Sequence, residues 1–211
     1  ITSKIKHDEF IDRHNKNDFE FMSMYRAIKK YKNCKILFLN SHAYPAKKNW
    51  LKLINSKYSK NSFIGFSGSN ESMFSSLRFK KKYKFLRNLY HYCYFKYNFK
   101  KFPNPHVRLP SFFLLQNDFI KFIKDKSYKN KHHAWITESG KKSMTNFFKE
   151  KGFKIFILNS DGNKFELNNM KNSLTFCFNQ QNKLIISDRH TRNYKNSTAF
   201  NKSLLCKRVW G

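Results

Sequence analysis

Four clusters in this 211-residue chain carry side chains able to do chemistry. Asn40, Ser41 and His42 follow the apolar run Lys35–Leu39. An amide oxygen and an imidazole can ligate a metal or hold a phosphate or sugar hydroxyl. The plainer and commoner use of such residues is to cap and turn the chain. Glu138 stands in Thr137-Glu138-Ser139-Gly140, after the apolar pair Trp135-Ile136 and ahead of a helical pattern. A carboxylate just before a helix N-terminus suits a general base, or simply a cap with Ser139. Asp188-Arg189-His190-Thr191-Arg192 sets an acid and an imidazole among guanidiniums. That set could bind a metal and a diphosphate together, although a solvated charged loop is the commoner outcome.

The fourth cluster is residues 78–102. Phe79, Tyr83, Leu86, Tyr90 and Tyr97 fall near one helical stripe, with Lys80, Lys81, Lys82, Lys84 and Arg87 on the other faces. Such a segment can cover a core, lie on an anionic membrane, or stack on single-stranded nucleic acid, in that order of preference.

The elements that must position these clusters alternate. The spacing predicts a helix from Asp18 to Tyr31, with Asp18 as N-cap, then a buried strand over Lys35–Leu39. A helix carrying Trp50, Leu51, Leu53 and Ile54 follows, then a strand over Ser62–Ser67. Ser111–Leu115 reads as a strand, and Asn117 or Asp118 as the start of a helix through Ile123. Residues 124–133 read as a charged loop, and Lys141–Lys151 as a helix ended by Gly152. Phe153–Leu158 reads as a strand and Asn159–Asn163 as a turn. Two more strands are expected, near Leu174–Phe178 and Leu184–Ser187, followed by a tail from Asp188 to Gly211. Strand-helix-strand alternation means an α/β fold with a partly parallel sheet, in one domain spanning 1–211.

Composition narrows the function classes. Forty-three Lys and Arg against 13 Asp and Glu give +30. The excess is 35 Lys but only 8 Arg, alongside 24 Asn. A phosphate reader favours the bidentate Arg fork, so nucleic acid ranks last among the partners. Much of the charge follows A/T-rich codon usage. Aromatics at 18% are too rich for a disordered chain, and no apolar run is long enough to span a bilayer. Cys34, Cys93, Cys177 and Cys206 are scattered, against a zinc site or disulfide framework and in favour of a reducing compartment.

The order of motifs resembles family-two glycosyltransferases of the GT-A fold. Phe38-Leu39-Asn40-Ser41-His42, then Pro45, then Trp50-Leu51, is similar to the strand that ends in a D-x-D motif followed by a proline and a W-L pair. Thr137-Glu138-Ser139, with Gly152-Phe153 beyond the next helix, resembles the T-E-D region. Phe102-Pro103-Asn104-Pro105-His106-Val107-Arg108 looks like the approach to an acceptor-side strand in related bacterial polysaccharide enzymes.

The resemblance implies a GT-A-like, Rossmann-like mixed sheet flanked by helices, with 78–102 a basic aromatic helical insertion. It implies transfer of a sugar from a nucleotide-sugar donor to a surface glycan or lipid-linked acceptor, with inversion. Glu138 would be the catalytic base. Asn40, Ser41, His42, Arg108 and Arg192 would bind the donor, and His42, Asp188 and His190 a divalent Mn or Mg cation. Three departures stand out. Asn40 and His42 replace the D-x-D acids, Ser139 replaces the second acid of T-E-D, and the family's nucleotide-cradling strands, expected before residue 17, are absent, which implies a fold incomplete at the N-terminus, as the C-terminal part of a longer protein or a degenerate member. The implied location is cytoplasmic, with 78–102 at the inner face of the membrane. A basic nucleic-acid binder and an inactive membrane-associated homologue are the alternatives.

Overall fold

In the computed structural model, residues 7–13, 19–79 and 85–211 are described. Asp18 and most of the lysine run, Lys80 to Lys84, lie outside them. Nine strand segments occur among the described residues: β1 Lys35–Leu39, β2 Tyr44–Pro45, β3 Ser62–Gly65, β4 Gly68–Ser69, β5 His106–Val107, β6 Ser111–Leu115, β7 Lys154–Leu158, β8 Lys164–Glu166 and β9 Ile186–Ser187. The helices are α1 Phe19–Ile28, α2 Trp50–Lys57, α3 Phe85–Asn98, α4 Gln116–Ile123, α5 Lys131–Ser139, α6 Met144–Glu150, α7 Arg189–Lys195 and α8 Ala199–Trp210.

Five strands form one mixed sheet in the order β1-β6-β3-β7-β8. β3 and β7 are parallel, while β6 runs against both β1 and β3, and β8 against β7. The fold is therefore mixed α/β, with helices on both faces of the sheet. Side chains alternate across a strand, so each strand feeds two cores. Phe63, Phe112 and Ile157 face the core closed by Ile28 of α1, Phe119 of α4 and Phe148 of α6. Ile64, Phe113 and Phe156 face the opposite side, where α2 supplies Ile54. The first core is built on aromatic contacts, such as Phe38 to Phe112 and Phe38 to Phe119, each at 4.6 Å between ring centres. Each fully buried Phe contributes roughly 1.5–3 kcal/mol of transfer free energy.

Several sequence expectations need correction. β1 is an edge strand with only Phe38 buried, because it pairs on one side alone. α5 begins at Lys131, inside the expected loop, because Asn130 caps it by accepting from the His132 and His133 amides. α6 then starts at Met144, with Ser143 as its cap. No strand forms near Leu174–Phe178. Leu174, Cys177, Asn179, Gln180 and Gln181 all adopt left-handed backbone, which breaks a pleat. The tail beyond Asp188 folds as two helices, α7 and α8, each with its own side-chain cap at Asp188 and Thr198. Gly152 does end α6, at φ 73°.

Two glycines set a close approach that matters for the site. A methyl group on Gly65 would collide with Val107 of β5, and one on Gly68 would lie 2.5 Å from the Met170 sulfur. Bare backbone at the end of β3 thus lets β5 sit directly against it. Among the described residues, no helix is long and apolar enough to cross a membrane.

Candidate functional site

A cleft of about 500 Å³ opens beyond the carboxyl end of β3, at the edge where antiparallel β6 begins. Ligands in open α/β sheets bind at this edge. The stretch after β3 supplies Ser69 and Glu71, β5 and its extension supply His106 and Arg108, and the end of α5 supplies Trp135 and Glu138. His190 of α7 and Arg208 of α8 complete the wall.

Arg108 is the structural centre. Its guanidinium donates to Asp188 Oδ2 at 2.9 Å and to Ser67 Oγ at 3.1 Å, and it stacks 3.7 Å over the Phe176 ring. Phe176 is fixed in turn by its carbonyl, which accepts from the Trp210 indole at 2.9 Å. Asp188 also caps α7, accepting from the Thr191 amide at 2.9 Å. Burial pushes the Asp188 carboxyl up, but Arg108 and the Thr191 hydrogen bond outweigh it and hold the group below its ordinary value.

Glu138 Oε1 accepts from the Leu109 amide at 3.1 Å, and Glu138 forms no ion pair among the described residues. It lies in the last turn of α5, not before a helix N-terminus as the sequence implied. The positive end of a helix dipole therefore plays no part in its placement. The helix instead serves to aim it across the cleft at the β5–β6 strap. Glu71, by contrast, is paired with Arg208 at 2.7 Å.

His106 is buried at 5% exposure, and its Nδ1 lies 2.7 Å from the Asn104 carbonyl. Burial pushes its pKa down. Glu138, the Asn104 carbonyl and Glu71 pull it up, Arg108 pushes it down, and burial prevails. His190 is also held below its ordinary value, first by burial and then by Arg108. Burial pushes the Cys177 thiol up to about 12, so it stays protonated and is no nucleophile.

The sequence-named residues divide into two places. Glu138, Arg108 and His190 line this cleft, drawn from positions far apart in the chain, and Asp188 lies behind Arg108 as its buried partner. Asn40, Ser41, His42 and Arg192 do not line the cleft. Asn40 Oδ1 accepts from the His42 amide at 3.1 Å, which is the turn-forming use of such residues. Arg192 donates to the His42 carbonyl at 3.0 Å and sits 4.9 Å over the Tyr44 ring. It thereby supports the β2–β9 pairing rather than the cleft. His42, Asp188 and His190 do not form a metal site together. Both Asp188 oxygens are committed, and no group of three or more potential ligands exists among the described residues. Sequence reasoning gave no role to His106, Glu71 or Arg208. The scarcity of acids was a usable signal for Glu71, whereas nothing in the spacing marked Arg208.

Comparison of the chain with protein-family models, curated proteins and solved structures returns no match.

Proposed function

We propose that the chain is a GT-A-like glycosyltransferase and that this cleft receives the hydroxyl-bearing acceptor. The observation that carries it is Glu138, a carboxylate without a cationic partner among the described residues, held at a cleft wall in a chain with few acids. Two carboxylates, Glu71 and Glu138, and two guanidiniums, Arg108 and Arg208, line this site, with Asp188 buried behind Arg108 as its ion-pair partner. The lining charges thus balance locally in a protein of charge +30. Both guanidiniums are held in ion pairs, which leaves neither free to neutralise the phosphates of a nucleic acid there. A neutral polyhydroxyl ligand fits better, with Trp135 as an apolar face for a sugar ring.

In this role Glu138 takes the proton of an acceptor hydroxyl as its oxygen attacks the anomeric carbon. The bond from that carbon to the nucleoside diphosphate breaks, and its electron pair leaves with the diphosphate. Anchoring of Oε1 by the Leu109 amide keeps the carboxylate aimed. No step here runs through a metal, since the residues expected to hold one are apart or committed.

The purified protein incubated with nucleotide-sugars, saccharide acceptors and Mn²⁺ or Mg²⁺ tests this. Release of nucleoside diphosphate dependent on acceptor is the expected result. Absence of both turnover and nucleotide binding overturns it.

A second observation bears on placement. On α3, Phe95 is buried and His91 half-buried, while Leu89, Tyr90, Tyr92 and Tyr97 are 46–80% exposed beside Lys96. An aromatic, basic outer face suits an anionic membrane surface, where a lipid-linked acceptor would reside.

A further inference from the structure

We infer that His106 is a specificity-determining residue, whose Nε2 accepts a hydrogen bond from a ligand hydroxyl next to the one Glu138 engages. This rests on the glycosyl-transfer reading for the identity of the ligand, but the geometry of the imidazole is independent of it.

A carbonyl oxygen can only accept, so the 2.7 Å contact with the Asn104 carbonyl places the ring proton on Nδ1. In a neutral imidazole the other nitrogen is then a lone-pair acceptor. Burial keeps the ring neutral, as its lowered pKa reflects. Among the described residues Nε2 has no hydrogen-bond partner, yet it is not one of the buried polar atoms sealed from solvent without one. It opens on the cleft that the ring lines.

The imidazole is also rigidly held. The Asn104 amide donates to the Asn70 carbonyl at 2.9 Å, and its side chain donates to the Ser139 carbonyl at 2.7 Å. The Val107 amide donates to Thr145 Oγ1 at 3.0 Å. The cleft therefore presents two acceptors close enough to interact electrostatically, Nε2 of His106 and the carboxylate of Glu138. Two such acceptors match a ligand with two adjacent donors, the diol of a sugar ring. An analogue lacking one hydroxyl leaves a buried lone pair unmet and is rejected.

Two asparagine-type replacements separate the parts of the imidazole. His106→Asn keeps a donor for the Asn104 carbonyl but removes the distal acceptor. His106→Gln extends an acceptor to the Nε2 position. In the transfer assay His106→Asn is expected to raise the acceptor KM about tenfold with kcat nearly unchanged, one hydrogen bond's worth, and His106→Gln to recover most of it. Nitrogen-15 imidazole spectra of the whole protein give a readout without turnover. Nε2 should show the unprotonated signature at neutral pH and shift on titration with methyl glucoside or methyl galactoside, but not with their deoxy analogues. A proton on Nε2, or equal response to the deoxy analogues, overturns the inference. An unchanged KM in His106→Asn does so too, while leaving glycosyl transfer standing. Glycoside-specific shifts without any turnover would support the inference and count against the transferase.

Discussion

Nη1 of Arg108 lies 2.9 Å from Oδ2 of Asp188, and each side chain is over nine-tenths buried. The two residues are 80 positions apart. Their contact joins the strap leading into β6 to the first turn of α7, and so brings His190 to the cleft that holds Glu138. A buried ion pair is expensive to desolvate, and this one is offset by Ser67, Thr191 and the Phe176 ring.

Breaking the pair is therefore expected to cost more than replacing it. Asp188→Ala leaves Arg108 buried and uncompensated and should destabilise by about 3–5 kcal/mol. Arg108→Met combined with Asp188→Leu should cost distinctly less. Urea unfolding of both variants checks this, and a larger loss in the double variant would contradict it.

The titrating groups predict a two-step acid loss of stability. His106 and His190 have lowered pKa values in the folded state. The unfolded chain then binds more protons, so stability is full above about pH 6.5, the ordinary histidine value, and declines as pH falls through it. Asp188 is depressed below its ordinary value, so its contribution is present above about pH 3.9 and is lost as pH falls through its folded pKa. Melting temperature against pH should show both steps, and His106→Asn should shrink the first.

Glu138→Gln retains an Oε1 to accept from the Leu109 amide and should fold normally. Turnover should fall roughly 10²–10⁴-fold, the usual contribution of a proton acceptor. Glu138→Ala should add a stability loss of about 1–3 kcal/mol, because the buried Leu109 amide loses its partner. Full activity in Glu138→Gln would remove Glu138 from the chemistry.

Gly65→Ala tests how the sheet places the site. Its methyl group would meet Val107 and lie 2.9 Å from Ile157 Cδ1. A loss of about 1–3 kcal/mol is expected from the forced separation of β5. A shifted His106 imidazole resonance should accompany it, since His106 neighbours Val107 on that strand.

The outer face of α3 predicts binding to vesicles containing phosphatidylglycerol but not to purely phosphatidylcholine ones. Tyr90→Ser with Tyr97→Ser should reduce flotation several-fold without unfolding, since both rings are exposed. Unchanged flotation would assign the attraction to diffuse charge alone.

Periodicity and turn chemistry are local, and they made much of the fold legible. The apolar runs at Lys35–Leu39, Ser111–Leu115 and Lys154–Leu158 are strands, and Gly152 closes the helix before the last of them. Where the local signal was short, it misled. His132 and His133 gave no apolar stripe, so the start of α5 was hidden, and with it the true place of Glu138 in a helix's last turn. The apolar Leu174–Phe178 looked like a strand, yet left-handed backbone turns it into the coil that carries Phe176 beneath Arg108.

By itself the sequence determined an α/β chain, the positions of β1, β3, β6 and β7, its charge, and the candidacy of Glu138, Arg108, Asp188 and His190. Only the tertiary structure decided that Glu138, Arg108 and His190 share one cleft with Asp188 buried behind Arg108, that Asn40, Ser41, His42 and Arg192 lie elsewhere, and that His106 belongs with Glu138. The physical reason is range. A cap or a pleat is set by residues within a few positions, whereas a cleft is set by which strands pair and which helices close over them. Arg108 meets Asp188 only because β6 lies against β3, and because Trp210 and Thr191 fix the far end of the chain over that edge.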